Sequence, residues 1–262
     1  MNNPKGYKKQ KELKKEEAIY FLASFRDARA NTLKDSENFK DIIIAIENFG
    51  CFLGNNSLNG FSNYKCIIKE FVRKFLCDYE TEFFETKYEI VRTTRNESIH
   101  SGVFARNVST HSLELLLIIE EALLSFMSRT SSTVGSFMIN NVIVVQPWHT
   151  VKIVRNIMLT NSFTHIPVYH KDDWYLVSET DIIIFLGVNF SDSSRKHNSV
   201  KTIQELIESL AYKHQKVTCK HENEPLEEIK KEFIDNNGRP VLIVHSSKKE
   251  QLLGIITPYD IL

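Results

Sequence analysis

The segment RNESIH, residues 95–100, brings together an arginine, an asparagine and a histidine that could act on a phosphodiester. The guanidinium of Arg95 can donate two hydrogen bonds to a phosphate, and its charge persists at every physiological pH. The imidazole of His100 can take or give a proton near neutral pH. Cleavage of RNA without a metal needs such groups, because the ribose 2′-hydroxyl is itself the nucleophile. In-line transfer uses both a base and an acid, so a two-fold dimer of the segment would supply the pair.

The same segment also fits an ordinary helix start. Thr94 and Glu97 have the spacing of a capping box, which predicts a helix that begins here with Arg95 and Asn96 in its first turn. His100 would follow about one turn later, rotated from Arg95 by about 140° around the helix axis. The two side chains would then splay around a shared cavity. A polar helix start needs no substrate, so the spacing alone leaves a purely structural role open.

Apolar residues at helical spacing predict that residues 1–128 form an all-α helical bundle. The predicted helices lie near residues 13–25, 39–52, 67–76 and 82–92. The following segment STHSLELLLIIEEALLSFM, residues 109–127, starts with the capping-type residues Ser109 and Thr110 and is apolar on nearly every face. We expect this last helix to be buried at the centre of the domain or in a subunit interface.

Composition and charge narrow the class of protein. A chain of 262 residues is long enough for about two domains. Its 33 basic and 33 acidic residues balance, so net charge predicts no particular partner. The four cysteines are scattered, and histidines such as His165 lack metal-ligand spacing, so we predict no metal site and no disulfide framework. No stretch is apolar enough for a signal peptide or a membrane span, which favours a cytoplasmic protein.

The second half of the chain changes character after MSRTSSTVG, residues 127–135, which we interpret as a linker. Short β-branched runs alternate there with helical stretches, so residues 135–262 are predicted to form an α/β domain. This half also repeats. The segment THIPVYHKDDWYLVSETDIIIFL at residues 164–186 is echoed by GRPVLIVHSSKKEQLLGIITPYDIL at residues 238–262. We place the first repeat at residues 135–190 and the second at residues 199–262, with a period of about 75 residues.

Each repeat carries a hydroxyl residue three positions before an aspartate. The pairs are Ser178 with Asp181 and Thr257 with Asp260, and each follows a predicted strand. This spacing is that of a helix N-terminal cap, which needs no ligand. A helix start after a strand is also a place where free amides and an acid can hold phosphate and ribose. Both interpretations stay open at this point.

Together, these residues and the HIPV and GIITPYDIL segments resemble a tandem pair of CBS domains, also called a Bateman module. The resemblance implies clefts that bind an adenosine-containing ligand such as AMP, ATP or S-adenosylmethionine. Asp181 and Asp260 would hold ribose hydroxyls, and Ser178 and Thr257 would contact phosphate. The backbone that would border the adenine lies near Ile166, Pro167, Val168, Pro240 and Val241. Because the sequence ends two residues after Asp260, we expect the second cleft to lack the helix that usually follows.

The helical half resembles the HEPN superfamily over roughly residues 10–128, where Arg95, Asn96 and His100 match the family motif residue for residue. That resemblance implies a metal-independent endoribonuclease that acts as a homodimer, as in toxin and phage-defence systems. Arg95 would clamp the scissile phosphate, and His100 of each protomer would serve as base or acid. Asn96 would orient one of these groups. Catalysis would need no cofactor.

The two resemblances combine into a hypothesis: an adenine nucleotide regulates an RNA-cleaving homodimer by changing how its protomers meet. A rival hypothesis from another class is a non-catalytic sensor or adaptor, in which the helical half mediates dimerisation or binds a partner. A third is a toxin-like helical module held by a separate antitoxin. Neither composition nor spacing separates the three.

Overall fold

The computed structural model divides the chain into two compact units, Met1–Ser131 and Ser132–Leu262. It describes residues 11–55, 60–97, 102–130, 133–187, 198–209 and 217–261, and for residues 95–97, 102–105 and 130 it describes the backbone alone. Each unit has its own core. The predicted fold class, a helical N-terminal region followed by an α/β region, is confirmed.

The described part of the first unit consists of five α-helices and one short 3-10 helix. The α-helices are α1 (Lys15–Lys34), α2 (Phe39–Leu53), α3 (Phe61–Phe75), α4 (Asp78–Glu97) and α5 (Gly102–Thr130). Helix α5 contacts each of the other four. Its central residues are fully buried, as expected of a helix that is apolar on nearly every face: Leu115, Leu116, Ile119, Ala122 and Leu123. Within the described residues, no helix combines the length and apolarity that crossing a membrane requires.

Aromatic side chains tie α1, α2 and α3 together. The ring of Phe49 on α2 lies 5.0 Å from that of Phe21 and 5.6 Å from that of Phe25, both on α1. It also lies 5.2 Å from the ring of Phe71 on α3. All three pairs meet edge to face, an arrangement worth about 0.5–1.5 kcal/mol per pair beyond the buried area. Phe49 therefore sits where three helices converge.

The predicted helix start at Thr94 is wrong. Thr94 lies inside α4, which continues to Glu97, and its hydroxyl donates to the carbonyl of Ile90 at 2.7 Å. A buried stripe of Tyr88 and Val91 carries the helix through this region. Packing of that stripe outweighs a local capping pattern, because a cap contributes only about 1 kcal/mol. The next helix starts at Gly102, several residues before the predicted Ser109.

The second unit is a mixed α/β structure. Its strands are β1 (His165–His170), β2 (Asp173–Ser178), β3 (Cys219–His221), β4 (Val241–His245) and β5 (Lys248–Ile256). Its helices are α6 (Val151–Asn161), α7 (Glu179–Gly187), α8 (Ile203–Ser209) and α9 (Leu226–Asp235). Strands β1 and β2 form one antiparallel hairpin, and β4 and β5 form another. Strand β3 pairs in parallel with β4.

The sequence repeat is a structural repeat. In the first copy α6 leads into the β1–β2 hairpin and then α7, and in the second copy α9 leads into the β4–β5 hairpin and a 3-10 turn at Pro258–Asp260. The first strand of each hairpin also pairs with a parallel neighbour. Val145 bridges to Val168 of β1, much as β3 pairs with β4. In each copy the parallel neighbour thus comes first in the chain, the helix second and the hairpin third.

The segment interpreted as a linker is structured at both of its described ends. Helix α5 extends to Thr130, and Thr133 already bridges to Pro225 in the second unit. Ile139 then exchanges two backbone hydrogen bonds with Ile255 of β5, at 2.7 and 3.1 Å. The described residues 133–139 therefore pair with the second repeat, directly after the unit boundary that falls inside the predicted linker.

Gly50 lets α2 and α3 approach closely, and this generates a stability prediction. A Cβ at Gly50 would lie 2.5 Å from both Cβ and Cγ of Tyr64, which is itself buried. We expect Gly50→Ala to lower the free energy of unfolding by about 1–3 kcal/mol, as overpacking does, even after a gain of up to about 1 kcal/mol in helix propensity. Urea unfolding measures this change.

The matched control is Gly187→Ala at the end of α7, where an added Cβ would meet nothing within 4 Å. That variant should be at least as stable as the wild type, because alanine favours the helix and no clash opposes it. Equal stability of the Gly50→Ala protein would show that α2 and α3 can separate without cost.

Candidate functional site

A cleft of about 470 Å³ lies between the two repeats of the second unit. Its volume falls within the range of about 300–1,000 Å³ typical of small-molecule sites. From the first repeat, the beginning of β1, the end of β2 and the first turns of α7 contribute Thr164, His165, Leu176, Ser178, Glu179, Thr180, Asp181 and Ile184. From the second repeat, the segments that precede β3 and β4 contribute Val217, Thr218, Asn236, Arg239 and Pro240.

Ser178 and Asp181 form a reciprocal cap where β2 passes into α7. Asp181 Oδ2 accepts hydrogen bonds from the Ser178 amide at 2.9 Å and from the Ser178 hydroxyl at 2.7 Å. The Ser178 hydroxyl in turn accepts from the Asp181 amide at 3.1 Å. Both carboxylate bonds use Oδ2, and within the described residues Asp181 Oδ1 accepts none. The capping interpretation is therefore correct, yet it leaves one carboxylate oxygen available at the cleft.

A tight turn after α9 positions Arg239. Asn237 and Gly238 adopt left-handed backbone conformations, with φ of 58° and 72°. The Gly238 amide closes the end of α9 by donating to the carbonyl of Phe233 at 2.7 Å, and the Arg239 amide donates to Asn236 Oδ1 at 3.0 Å. The Arg239 side chain is exposed, and it forms no ion pair with a carboxylate of the described residues. The cleft thus has a permanent positive charge that no described partner neutralises.

His165 stands at the beginning of β1, half-buried and opposite Ser178 in the hairpin register. Its Nδ1 lies 3.0 Å from the Thr164 hydroxyl. Burial lowers the pKa of His165 below its usual 6.5, and the positive charge of Arg239 lowers it further. The carboxylates of Asp181 and Glu179 oppose this shift without cancelling it. The imidazole is therefore neutral at physiological pH.

The sequence-predicted ligand residues divide into two groups. Ser178, Asp181 and Pro240 line the cleft. Others lie in the hydrophobic core or at a separate cap and are not part of its described lining: Ile166, Pro167, Val168, Val241, Thr257 and Asp260. The last two repeat the first cap, because Asp260 Oδ2 accepts from both the amide and the hydroxyl of Thr257 at 2.7 Å. Asp260 is buried at 5% exposure.

Sequence reasoning missed His165 and Arg239. A signal was present, because each is a basic residue next to positions that were singled out: His165 precedes Ile166, and Arg239 precedes Pro240. The search for metal-ligand spacing could not find them, since neither residue belongs to such a pattern. Within the described part of the chain, no group of three or more histidine, cysteine or acidic side chains could hold a metal ion.

The RNESIH motif spans the connection from α4 to α5. The backbone of Arg95 and Asn96 belongs to the last turn of α4, while their side chains and the whole of His100 lie outside the described residues. Helices α4 and α5 pack against each other. Arg95 and Asn96 thus lie at the C-terminal end of α4, and the proposed catalytic arrangement of the motif's side chains stays a prediction.

A polar cluster joins the same two helices. Lys87 Nζ lies 2.6 Å from Glu114 Oε2, and His111 Nδ1 lies 3.1 Å from the same oxygen. The hydrogen bond from Lys87 lowers the pKa of the Glu114 carboxyl. The Lys87 side chain is only 12% exposed, so this ion pair is screened less than a surface pair. The cluster holds α4 against α5.

Comparison with known proteins identifies part of the second unit. Residues 211–262 match the family model of the CBS domain. CBSX2, solved in complex with AMP, is 20% identical over 50% of this chain and 93% of its own, with a TM-score of 0.39. The CBS-domain containing protein ATU1752 from Agrobacterium tumefaciens is 13% identical over 50% of this chain and 90% of its own, with a TM-score of 0.39.

The CBS domain pair of protein MJ0100, solved with 5′-methylthioadenosine and S-adenosyl-L-methionine, is 18% identical. That match covers 50% of this chain and 92% of the pair, with a TM-score of 0.36. A search of curated proteins found no match. The chain therefore carries a C-terminal CBS domain at residues 211–262.

The lowered pKa of His165 predicts how stability depends on pH. The folded pKa lies below the unfolded value of 6.5, so the unfolded chain binds a proton that the folded chain does not. The stabilisation is fully present above 6.5 and is lost as the pH falls through the folded pKa. We expect His165→Gln to reduce this loss, as measured by denaturant unfolding between about pH 5 and pH 8.

His221→Gln serves as the control, because His221 is an exposed histidine of the same unit outside the cleft. It should leave the acid-induced loss unchanged. Identical pH profiles for the wild type and His165→Gln would contradict the prediction.

Proposed function

We propose that the C-terminal unit binds an adenosine-containing ligand in the cleft between its repeats. The observation that carries the proposal is the Asp181 carboxylate, which caps α7 with one oxygen and keeps the other free of described partners at the cleft. The CBS domain match at residues 211–262 supports it. The ligand would act as a signal, since binding across two repeats couples their relative position to ligand concentration.

The lining of the cleft suits the parts of a nucleoside. Ribose presents two neighbouring hydroxyl groups, and a carboxylate is the acceptor that binds such donors with charge-assisted hydrogen bonds. Asp181 supplies this acceptor. The apolar side chains of Leu176, Ile184 and Val217 line the same cleft and offer a surface for a base. A site with a few polar groups among apolar walls can hold a small ligand in one orientation.

Asp181→Asn tests the ribose contact. The amide oxygen of asparagine can still accept from Ser178, so the cap and the fold are retained, but the negative charge that strengthens the ribose hydrogen bonds is lost. We expect the affinity for AMP to fall about tenfold or more, since hydrogen bonds to charged groups contribute about 1.5–3 kcal/mol. Calorimetric titration of the full chain measures the change.

Asp260→Asn makes the same substitution in the second cap, outside the described lining of the cleft, and should leave this affinity unchanged. If the wild type and Asp181→Asn bind AMP equally tightly, the proposed contact between Asp181 and the ribose is wrong. If AMP, ATP and S-adenosylmethionine all fail to bind, the proposed adenosine site is refuted.

We further propose, from the sequence motif, that the helical unit is the output of this sensor and cleaves RNA as a homodimer. Its support is the motif itself, whose Arg95 and Asn96 belong by their backbone to the last turn of α4, a helix that packs against α5. The alternative output is non-catalytic, with the helical unit binding a partner or a second copy. In both cases the ligand must bind two states of the protein with different affinity.

His100→Ala separates the two outputs. If the unit is a ribonuclease, the wild type should cleave labelled RNA under at least one nucleotide condition, and His100→Ala should be slower by about 100-fold or more, as expected for loss of a general acid or base. The readout is a cleavage time course with and without AMP and ATP. His221→Ala controls for loss of a histidine elsewhere. Equal inactivity of the wild type and His100→Ala would favour the adaptor.

A further inference from the structure

The chain enters the second unit through residues 133–139, which we call the strap, and the second repeat holds them. The Val134 amide donates to the carbonyl of Glu224 at 3.0 Å, and the Gly135 amide donates to the carbonyl of Glu222 at 2.8 Å. Both carbonyls belong to the turn between β3 and α9. The first half of the strap is thus bound to the second repeat by its backbone.

The second half of the strap lies against the edge of β5. Ile139 and Ile255 exchange two backbone hydrogen bonds, at 2.7 and 3.1 Å. The neighbouring Gly254 leaves room for the strap, because a Cβ there would lie 2.7 Å from Met138 Sδ and 2.9 Å from the carbonyl oxygen of Ile139. The strap therefore covers an edge whose backbone groups would otherwise need other partners.

Buried side chains anchor the strap as well. Val134 and Phe137 are buried, at 0% and 1% exposure, and Ser136 between them in the sequence is also buried. After the strap, the chain reaches the first repeat, where Val145 bridges to Val168 of β1. The strap therefore belongs structurally to the second repeat, although the first repeat follows it in the sequence.

A very short connection joins the strap to the helical unit. The backbone of α5 ends at Thr130, and the strap begins at Thr133. Three peptide steps span at most about 11 Å. Helix α5 packs against each of the other four helices. A displacement of the strap therefore acts on the helix around which the helical unit is built.

The partners of the strap lie directly downstream of the cleft lining. Thr218 lines the cleft, β3 begins at the next residue, and Glu222 follows directly after β3. The carbonyl that accepts from the Gly135 amide thus belongs to a residue only a few positions after a cleft residue. Strand β3 pairs with β4, so these residues move with the second repeat. Peptide bonds and hydrogen bonds connect the cleft to the strap without a break.

We propose that the strap transmits the ligand state of the cleft from the second repeat to α5. The proposal rests on the proposed function, since it takes an adenosine-containing ligand to bind between the repeats. It adds the route of the signal. When a ligand changes the position of the second repeat relative to the first, the strap moves with the second repeat and displaces the end of α5.

Hydrogen exchange of the full chain, measured by mass spectrometry with and without AMP, tests the route. In the wild type, we expect AMP to change the exchange rate of the amides in the last turns of α5 by at least about fivefold, the lower end of typical coupling between two sites. The strap amides of Val134, Gly135 and Ile139 should respond in the same titration.

Ile139→Pro releases the strap from β5. Proline has no amide to donate to Ile255, whereas β5, the cleft and α5 keep their own sequences. We expect this variant to bind AMP like the wild type and to lose the response of α5. The matched control is Ile143→Pro, which should keep the response. Ile143 is similarly exposed, at 41% against 37%, and its amide donates to no acceptor among the described residues.

A second variant leaves every contact of the strap intact. Six glycine and serine residues inserted between Ser131 and Ser132 lengthen the connection by up to about 20 Å, so the strap can move without displacing α5. Both units keep their own sequences, and a longer flexible connection costs little stability. We expect normal AMP affinity and no response of α5 to AMP, while the strap amides still respond.

The outcomes separate the route from the ligand site. If AMP, ATP and S-adenosylmethionine all fail to bind, the proposed adenosine site is refuted, and the route with it. If AMP binds and α5 does not respond in the wild type, the site stands and the route is overturned. A response of α5 that persists in the insertion variant also overturns the route, because the coupling would then pass outside the strap. The insertion variant decides alone if Ile139→Pro fails to fold.

Discussion

The hydrogen bonds between Asp181 and Ser178 are the interaction on which the cleft depends. One carboxylate oxygen accepts from the Ser178 amide and hydroxyl and so closes the junction between β2 and α7. The hairpin register places His165 opposite Ser178, so the same junction determines where the histidine stands relative to the carboxylate. Because bonds to a charged acceptor are strong, the acidic edge is held in place before any ligand arrives. In the proposed function, the capping residue and the binding residue are the same side chain, used through different oxygens.

The two repeats are alike in their caps and unlike at the cleft. Both carry a hydroxyl residue and an aspartate in reciprocal hydrogen bonds. At the residue before the Pro-Val pair, however, the first repeat has Ile166, which is fully buried, and the second has Arg239, which is exposed. The first repeat thus provides the acids and the histidine, and the second provides the permanent positive charge. A duplicated sequence has in this way produced a cleft with two chemically different edges.

In the helical unit, the spacing of apolar residues predicted helices correctly, whereas a local capping pattern did not. The stripes predicted for residues 39–52 and 67–76 correspond to α2 (Phe39–Leu53) and to most of α3 (Phe61–Phe75). The capping pattern at Thr94 wrongly predicted a helix start, because buried residues such as Val91 extend α4 through this position. At Thr94, tertiary packing therefore outweighed a local preference of about 1 kcal/mol. The linker predicted at residues 127–135 contains the boundary between the two units, which falls between Ser131 and Ser132.

The order of amino acids alone specifies the helical half, the repeated α/β half and the two aspartate caps. These are properties of neighbours within a few residues, where apolar spacing and a single hydroxyl or carboxylate decide the local backbone. The association of His165 with Arg239 is different, because it arises only when the two repeats pack and bring β1 beside the turn before β4. No spacing rule relates residues so far apart in the chain. The chemistry at the edges of the cleft is therefore a product of tertiary packing, because burial and a distant charge, and no local pattern, set the protonation of the histidine.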